Sequence, residues 1–134
     1  MAKQTRLSTA VVNAQADALA KLADGGFIDF YGGVQPDSAD APVRREHALA
    51  VSLRLGEPAF LAASSGTLTA NPIAPAVAVA SVLATWARVY ARDHKTPLFD
   101  ISVGTRDANL ILPTADIKAG VIVSLTSFTH TVPK

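Results

Sequence analysis

The 134-residue chain contains no cysteine, which excludes a disulfide framework, a thiolate metal site and a cysteine nucleophile. Charged residues are also scarce, at 17% of the chain, whereas typical soluble domains carry about 25%. The 12 Lys and Arg residues nearly balance the 11 Asp and Glu residues, for a formal charge of +1. Because binding to phosphates needs a basic excess or a basic face, we expect no nucleic-acid partner.

Long apolar runs are missing as well. Polar residues interrupt the N-terminal stretch, so it lacks the apolar core of an export signal. The most apolar stretch, 72–87, contains Pro75 and is too short and broken to span a bilayer as a helix. We therefore expect neither a membrane segment nor an export signal.

Motifs that gather catalytic or metal-binding groups are absent too. The chain has no G-x-S-x-G, H-E-x-x-H, D-x-D-x-D-G or G-x-G-x-x-G pattern. A set of Ser102, His94 and Asp100 can be drawn, but such sets can be drawn in almost any sequence, because geometry defines a triad. We expect no catalytic residue, no metal site and no cofactor. A small β-scaffold enzyme that uses its three histidines is kept as a minor alternative.

The first 26 residues carry the pattern of a helix. Ser8 or Thr9 is suited to cap its start, and Gly25-Gly26 provides a stop signal. Apolar residues recur at steps of three and four, which predicts one stripe that packs on a partner surface. The predicted stripe consists of Leu7, Val11, Ala14, Ala18 and Leu22.

From Phe27 onward the pattern changes to short β-rich runs separated by Gly, Pro and Asp turns. The predicted strands are 27–31, 47–55, 58–61, 67–70, 85–91, 98–103, 108–112 and 121–132. In the second of them, Leu49, Val51, Leu53 and Leu55 are expected to face the core. The segment 58–70 is expected to form a hairpin around 64–66. The segment 71–82 fits either a buried core strand after a loop, which we favour, or an extended apolar arm.

These elements predict a mainly β fold, a single antiparallel β-sandwich or jelly roll with one short N-terminal helix. We expect one domain overall. Residues 1–26 form an arm and helix on or beside the β domain, which comprises 27–134.

One strand places Trp86, Arg88 and Tyr90 on a single face. Such a row is able to stack a sugar or a base if it is exposed. The alternative is that both aromatic side chains belong to the core and that Arg88 lies at a sheet edge or pairs with an acid. We favour the alternative, because only 6% of the residues are aromatic and the core needs most of them.

The order of several segments along the chain, and their residue patterns, resemble those of a family of small virion proteins of tailed bacteriophages. Within that family, the chain looks most similar to jelly-roll capsid cement (decoration) proteins. The matching segments are ALAKLADGGFIDFYGGVQPDSADAP (18–42), PAFLAASSGTLTAN (58–71), ATWARVYARD (84–93), FDISVGT (99–105) and IKAGVIVSLTSFTHT (117–131). The segments 43–55 and 71–84 depart from the pattern, the first by its charge and the second by its apolar character.

The resemblance implies a protein that is made in the host cytoplasm and binds the outer capsid surface. Its partner would be the major capsid protein, and it would stabilise the shell against internal DNA pressure, as a homo-oligomer and most simply a dimer. A tail or host-recognition component that binds a surface glycan is the alternative, and it requires an exposed Trp86 face. Composition marks candidate capsid or self contacts in the arm 1–7, the loop 33–45 and the stretch 71–80. These candidates are Lys3, Arg6, Leu7, Val34, Pro36, Arg44, Arg45, Pro72, Ile73, Pro75 and Val77.

Overall fold

The computed structural model describes residues 6–44, 46–106 and 108–131. Within them the chain is mainly β, with one helix, a seven-stranded mixed sheet and two two-stranded sheets, consistent with the predicted sandwich. The helix α1 spans Thr9–Ala23. The strands are β1 (Phe27–Tyr31), β2 (Leu49–Arg54), β3 (Thr67–Thr69), β4 (Ala76–Val77), β5 (Val82–Leu83), β6 (Trp86–Tyr90), β7 (Pro97–Gly104), β8 (Leu110–Ile111), β9 (Asp116–Ile117), β10 (Ile122–Val123) and β11 (Ser127–Thr131).

The large sheet has the order β2-β1-β6-β7-β8-β11-β3. Its pairs are antiparallel except for β7 and β8, which run parallel with Val103 opposite Leu110. The predicted mainly β sandwich is confirmed, and this one parallel pair departs from its expected antiparallel pairing. The chain loops back between Gly104 and Leu110, so both strands keep the same direction.

Alternation along the central strands separates two faces of this sheet. One face carries fully buried apolar side chains, among them Ile28, Phe30, Val51, Leu53 and Val89. They belong to a single core cluster that includes residues from α1 through β11. Since successive strand residues point to opposite faces, the intervening positions of β1, β2 and β6 lie on the other side of the sheet.

The expected orientation of strand 47–55 is correct only in part. Val51 and Leu53 face the core as predicted, but Leu49 is partly exposed and Ala50 is buried instead. The register between β1 and β2 shifts at this point, because Phe30 faces Val51 and Tyr31 faces Leu49. Ala50 is the extra residue of a β-bulge, and an extra residue reverses the alternation before it.

Residues 76–84 and 115–123 form a two-stranded antiparallel unit that we call the ribbon. Val77 pairs with Ile122 and Val82 pairs with Ile117, so β4–β10 and β5–β9 share one continuous register. Two backbone hydrogen bonds connect the two halves, from the Ala78 N–H to the Val121 carbonyl and from the Gly120 N–H to the Ala78 carbonyl, both at 2.9 Å. Along 76–84, even-numbered residues are buried or half-buried and odd-numbered residues are exposed. The favoured core strand at 71–82 is therefore wrong for the outward half of its residues.

The run 121–132, predicted as one strand, is divided between two sheets. β10 pairs with β4 in the ribbon, whereas β11 pairs with β8 and β3 in the large sheet. The Thr126 N–H bonds to the Ile111 carbonyl where the chain passes from one sheet to the other. The run of β-branched residues continues through this point, so the sequence does not reveal that the chain changes its partner strand.

The hairpin predicted around 64–66 is confirmed. Ser64 pairs with Thr67, and Phe60 pairs with Ala70. Ser65 and Gly66 both have left-handed backbone angles, with φ of 51° and 76°. This is the two-residue turn whose twist matches that of the flanking strands.

Helix α1 begins where predicted, with the Ser8 hydroxyl accepting from the Val11 N–H. Its predicted packing stripe is wrong, however, since Val11 is 42% and Leu22 60% exposed. The opposite side of the helix packs on the core instead. Its buried residues are Val12, Ala16, Ala20 and Ala23. The helix carries apolar residues on two opposite sides, and periodicity alone does not choose between them.

Polar side chains on a third side of α1 and at its C-cap, Asp24, fix its rotation. They accept hydrogen bonds from backbone N–H groups in the first half and the turn of the 58–70 hairpin, whose second half contains β3. The bonds run from Ala59 N to Asp24 Oδ1 (2.8 Å), from Ala63 N to Asp17 Oδ1 (2.9 Å) and from Gly66 N to Asn13 Oδ1 (2.7 Å). The helix thereby satisfies donors at the edge of the sheet.

We expect Asp24→Ala to destabilise the fold by about 1–3 kcal/mol, because the N–H of the buried Ala59 loses its acceptor. Urea unfolding followed by circular dichroism measures the change. Gln15→Ala, at an exposed helix position, is the matched control and should stay within about 0.5 kcal/mol of the parent protein. Equal effects of the two substitutions would contradict the role of the Asp24 bond.

Candidate partner-binding surface

The outer face of the large sheet carries a row of polar side chains across four neighbouring strands. Asp29 lies opposite Ser52 on one side and opposite Arg88 on the other. Arg88 in turn lies opposite Asp100. This strand register therefore brings together four side chains that lie far apart in the sequence.

Arg88 and Asp100 form a buried ion pair within this row. The guanidinium donates from Nε to Oδ1 at 2.7 Å and from Nη2 to Oδ2 at 3.0 Å, and Arg88 is only 3% exposed. The hydrogen bonds with Asp100 raise the pKa of Arg88, so it remains charged. Arg88 also donates to the carbonyls of Ala41 (2.6 Å) and Ser38 (3.4 Å). The ion pair thus attaches the surface loop 33–47 to the sheet.

His47 fixes the same loop from its other end. Its Nδ1 accepts from the Arg44 N–H at 3.0 Å, and its Nε2 lies 2.9 Å from the Val34 carbonyl. A backbone N–H only donates and a carbonyl only accepts, so Nδ1 is the acceptor and Nε2 the donor in these two bonds. At the loop entry, Trp86 Nε1 donates to the Gly32 carbonyl at 3.1 Å.

Loop 33–47 encloses an open cleft of about 410 Å³, which we call the loop cleft. Three candidate contact residues, Val34, Pro36 and Arg44, line it together. Asp37 and Glu46 add negative charge beside Arg44. The cleft is therefore a surface with charges of both signs, built on a loop that buried side chains hold in place.

The remaining candidate contacts do not join this cleft. Lys3 and Arg45 lie outside the described residues. Exposed side chains are those of Arg6, Pro72, Pro75 and Val77, whereas Leu7 and Ile73 are half-buried. Ile73 also packs against the core cluster with part of its side chain.

The row of Trp86, Arg88 and Tyr90 is closed to solvent at two of its three positions. Trp86 is fully buried and stacks on Tyr31 with ring centroids 4.8 Å apart. The favoured interpretation is therefore correct for the buried Trp86 and the acid-paired Arg88, but not for Tyr90, which is only half-buried. Burial raises the pKa of the Tyr31 hydroxyl, and the nearby Tyr90 and Asp29 raise it further by smaller amounts.

A second polar cluster, which was not predicted from the sequence, surrounds the buried Asp29. His94 Nε2 lies 2.9 Å from both oxygens of this carboxylate, and Ser52 donates its hydroxyl to the same group. The His94 ring stacks on Phe27 at 4.0 Å, and its edge meets Tyr90. The one sequence signal for this cluster is an acidic residue, Asp29, within the apolar and aromatic strand FIDFY. Its partners Ser52 and His94 lie far away in the sequence, so no local pattern indicates them.

This cluster does not have the geometry of a nucleophilic triad. Ser52 and His94 both bond to Asp29, so the imidazole is not placed to accept the serine proton. Ser102, His94 and Asp100 do not form a catalytic triad either, because the Asp100 carboxylate pairs with Arg88.

Asp93 shapes the turn that presents His94. Its Oδ1 accepts from the N–H groups of Lys95 and Thr96, both at 2.8 Å, and its Oδ2 accepts from the Thr96 hydroxyl. These bonds, the Thr96 hydroxyl foremost, lower the pKa of Asp93 to about 2. They support the left-handed backbone of His94, with φ of 59°, which non-glycine residues seldom adopt.

The shift of Asp93 predicts an acid-side loss of stability. The folded state favours the ionised carboxylate of Asp93, so its contribution to stability is present above the ordinary pKa of 3.8 and is lost as the pH falls through about 2. We expect Asp93→Asn to lower the melting temperature at pH 6, and the melting temperature of the variant to approach that of the parent protein as the pH falls through this range. Thermal melts across this range test it. A constant difference at all pH values would contradict the assignment.

The outward face of the ribbon is a second exposed surface, which we call the ribbon face. Val77, Val79, Leu83 and Ile122 are 57%, 69%, 62% and 68% exposed. An apolar hollow of about 260 Å³ lies along the strand 115–123, and of these four residues Ile122 alone lines it. Outward positions of a solvated ribbon are ordinarily polar, so this face differs from ordinary surface.

Among the described residues, no group of three or more His, Asp or Glu side chains is placed to hold a metal ion. No helix in the described ranges is both long and apolar enough to cross a membrane. No family model, curated protein or solved structure matches the chain.

Proposed function

We propose that this protein is a cement (decoration) protein of a tailed-bacteriophage capsid. It binds the outer surface of the shell across neighbouring major capsid subunits and stabilises the shell against the pressure of packaged DNA. The loop cleft is the observation that carries the proposal, together with the resemblance of the sequence to small virion proteins. It gathers three candidate contact residues on a loop that the sheet holds in place.

The anchoring of loop 33–47 suits a protein that works by occupying many equivalent sites. Arg88, His47 and Trp86 fix the loop before any partner arrives, so little conformational entropy is lost on binding. Arg44 and the acidic side chains beside it provide charges that set orientation on a partner surface. The formal charge of +1 gives no general attraction to the packaged genome.

The alternative of a glycan-binding tail or host-recognition component depended on an exposed Trp86 face. Trp86 and Arg88 are buried, and the loop covers them. A sugar therefore does not reach Trp86 or Arg88 in the folded protein, and the alternative loses the exposed Trp86 face that suggested it.

Copy number and position on the particle test the proposal. We expect purified virions or empty shells to carry this protein on their outside, in numbers comparable to the major capsid protein. Shells that lack it should lose integrity at lower temperature. A few copies at one vertex or along the tail would overturn the proposal.

A charge reversal tests whether the loop cleft is the contact. Arg44→Glu should lower occupancy on isolated shells by roughly tenfold or more, because like charges juxtaposed at an interface cost several kcal/mol. Arg106→Glu, another exposed arginine outside the cleft, is the matched control. Equal occupancy for the two variants would exclude the cleft as the contact.

A further inference from the structure

We infer that His47 is an acid-sensitive latch on the loop cleft. Its neutral ring ties the two ends of loop 33–47 together, and a proton added at Nδ1 releases them. The latch operates in the free protein, whereas its consequence for partner binding at the cleft rests on the proposed function.

The two ring nitrogens of His47 hold the backbone groups of two candidate contact residues. Nδ1 accepts from the Arg44 N–H at 3.0 Å, and Nε2 donates to the Val34 carbonyl at 2.9 Å. The His47 N–H donates in turn to the Arg44 carbonyl at 3.0 Å, so the turn 44–47 is closed in both directions. Val34 and Arg44 both line the loop cleft, and one imidazole therefore positions both of them.

A proton at Nδ1 converts the acceptor of this pair of bonds into a donor. In the charged imidazole both nitrogens donate, so the Nδ1 proton would face the Arg44 N–H. The ring is rigid, and turning Nδ1 away from Arg44 also moves Nε2 away from the Val34 carbonyl. Histidine is the side chain whose charge ordinarily changes between pH 5 and 8, so mild acidification supplies the proton.

The surroundings of the ring do not compensate a charge. His47 is only 9% exposed, and its edge meets the Trp86 ring with centroids 5.1 Å apart. Among the described residues, no carboxylate forms an ion pair with it. A buried charge without a partner is costly, so the protonated ring gains free energy by moving into water.

Charged groups surround the latch from the loop and from the sheet. They are Asp37, Arg44 and Glu46 in the loop cleft and, over the Trp86 ring of β6, Arg88 with its partner Asp100. Tyr31 of β1 also stacks on Trp86, and its raised pKa keeps it uncharged. Arg45 lies outside the described residues.

Arg88 confines the release to the two ends of the loop. Hydrogen bonds with Asp100 raise its pKa, so the guanidinium stays charged on acidification. It continues to donate to the Ala41 carbonyl in the middle of the loop. Acid therefore frees the segments around Val34 and Arg44 while the remainder of the fold is retained.

The direction of the pH effect follows from the protons that each state binds. The released ring is able to take up a proton that the latched ring excludes at Nδ1. The ratio of released to latched protein therefore rises as the pH falls, by up to about tenfold for each pH unit once the released ring is charged. At low pH the loop cleft loses the fixed positions of Val34 and Arg44 and should bind its partner more weakly.

Hydrogen exchange of the ¹⁵N-labelled full chain, followed by NMR between pH 7.5 and pH 5, tests the latch. After correction for the intrinsic exchange rate, the protection of the Arg44 amide should fall roughly tenfold, whereas amides of β1 and β6 should keep theirs. His47→Asn retains an oxygen acceptor near the Nδ1 position but takes up no proton, so its Arg44 protection should stay constant. His94→Asn is the matched control, because Asn tolerates the left-handed backbone at this position, and it should behave like the parent protein.

An Arg44 amide whose protection does not change with pH would overturn the latch, and so would an equal fall in His47→Asn. A parallel loss of protection in β1 and β6 would also overturn it, because it would show global unfolding. If His47→Asn does not fold at pH 7.5, His47→Gln replaces it, since its amide N–H is able to donate to the Val34 carbonyl.

Shell binding at the two pH values separates the latch from the proposed function. We expect the parent protein to leave isolated shells at pH 5 and His47→Asn to remain bound. A latch that responds to acid in a protein that binds no shells contradicts only the capsid function. Equal shell occupancy at pH 7.5 and pH 5, with the Arg44 amide released, contradicts regulation of the cleft by His47.

Discussion

Replacing Arg88 with methionine is expected to lower the free energy of unfolding by about 3–5 kcal/mol. The substitution leaves the Asp100 carboxylate buried without its partner, since this side chain is only 5% exposed. It also removes the donors to the Ala41 and Ser38 carbonyls. For a domain of this size, the melting temperature should fall by about 10–20 °C. Thermal and urea unfolding measure both quantities.

Two variants separate the buried charge from the loss of side-chain volume. Arg92→Met removes an exposed ion pair with Glu57 and should cost about 0–1 kcal/mol. The double variant Arg88→Met/Asp100→Leu should recover much of the loss, because no uncompensated charge remains. If Arg88→Met is no worse than Arg92→Met, the ion pair does not anchor the loop as described.

Trp86→Ala is expected to cost about 3–5 kcal/mol, the range for truncating a large buried aromatic side chain. Trp86 stacks on Tyr31, meets the edge of His47 at 5.1 Å and bonds to the Gly32 carbonyl. Its loss opens a cavity between the sheet and loop 33–47. Urea unfolding followed by circular dichroism measures the loss, since the variant lacks the only tryptophan of the chain.

Trp86→Phe is the matched control for this prediction. It keeps an aromatic ring against Tyr31 but loses the indole N–H, so a cost nearer to 1–2 kcal/mol is expected, about that of one hydrogen bond and a small volume change. In the parent protein, the fluorescence of Trp86 should resist quenching by acrylamide until the chain unfolds. Efficient quenching of the folded protein would show that Trp86 is accessible and would restore the glycan-binding alternative.

The existence of most strands was readable in the sequence because alternation of apolar and polar residues reports a half-buried face. The strand 85–91 and the hairpin at 64–66 are examples, and turn residues defined both. Alternation failed where a bulge at Ala50 reversed it. It also failed to reveal that β10 and β11 belong to different sheets, because both halves are equally rich in β-branched residues.

The helix shows a different kind of failure. Its sequence contains two apolar stripes, and the one with the larger residues Val11 and Leu22 is the exposed one. Three polar side chains decide the orientation by meeting backbone donors at the sheet edge, as with Asp24 and Ala59. Those donors are separated from the helix by more than thirty residues of chain, so no local pattern contains them.

A mainly β chain with one N-terminal helix could be predicted from the sequence, because periodicity and turn chemistry are local properties. Which side chains meet depends on the folded arrangement of the strands. The pairing of Arg88 with Asp100, the anchoring of loop 33–47 and the joined register of the ribbon all depend on strand order. Strand order is set by long-range packing, since the free energy of a contact depends on neighbours that the local sequence does not specify.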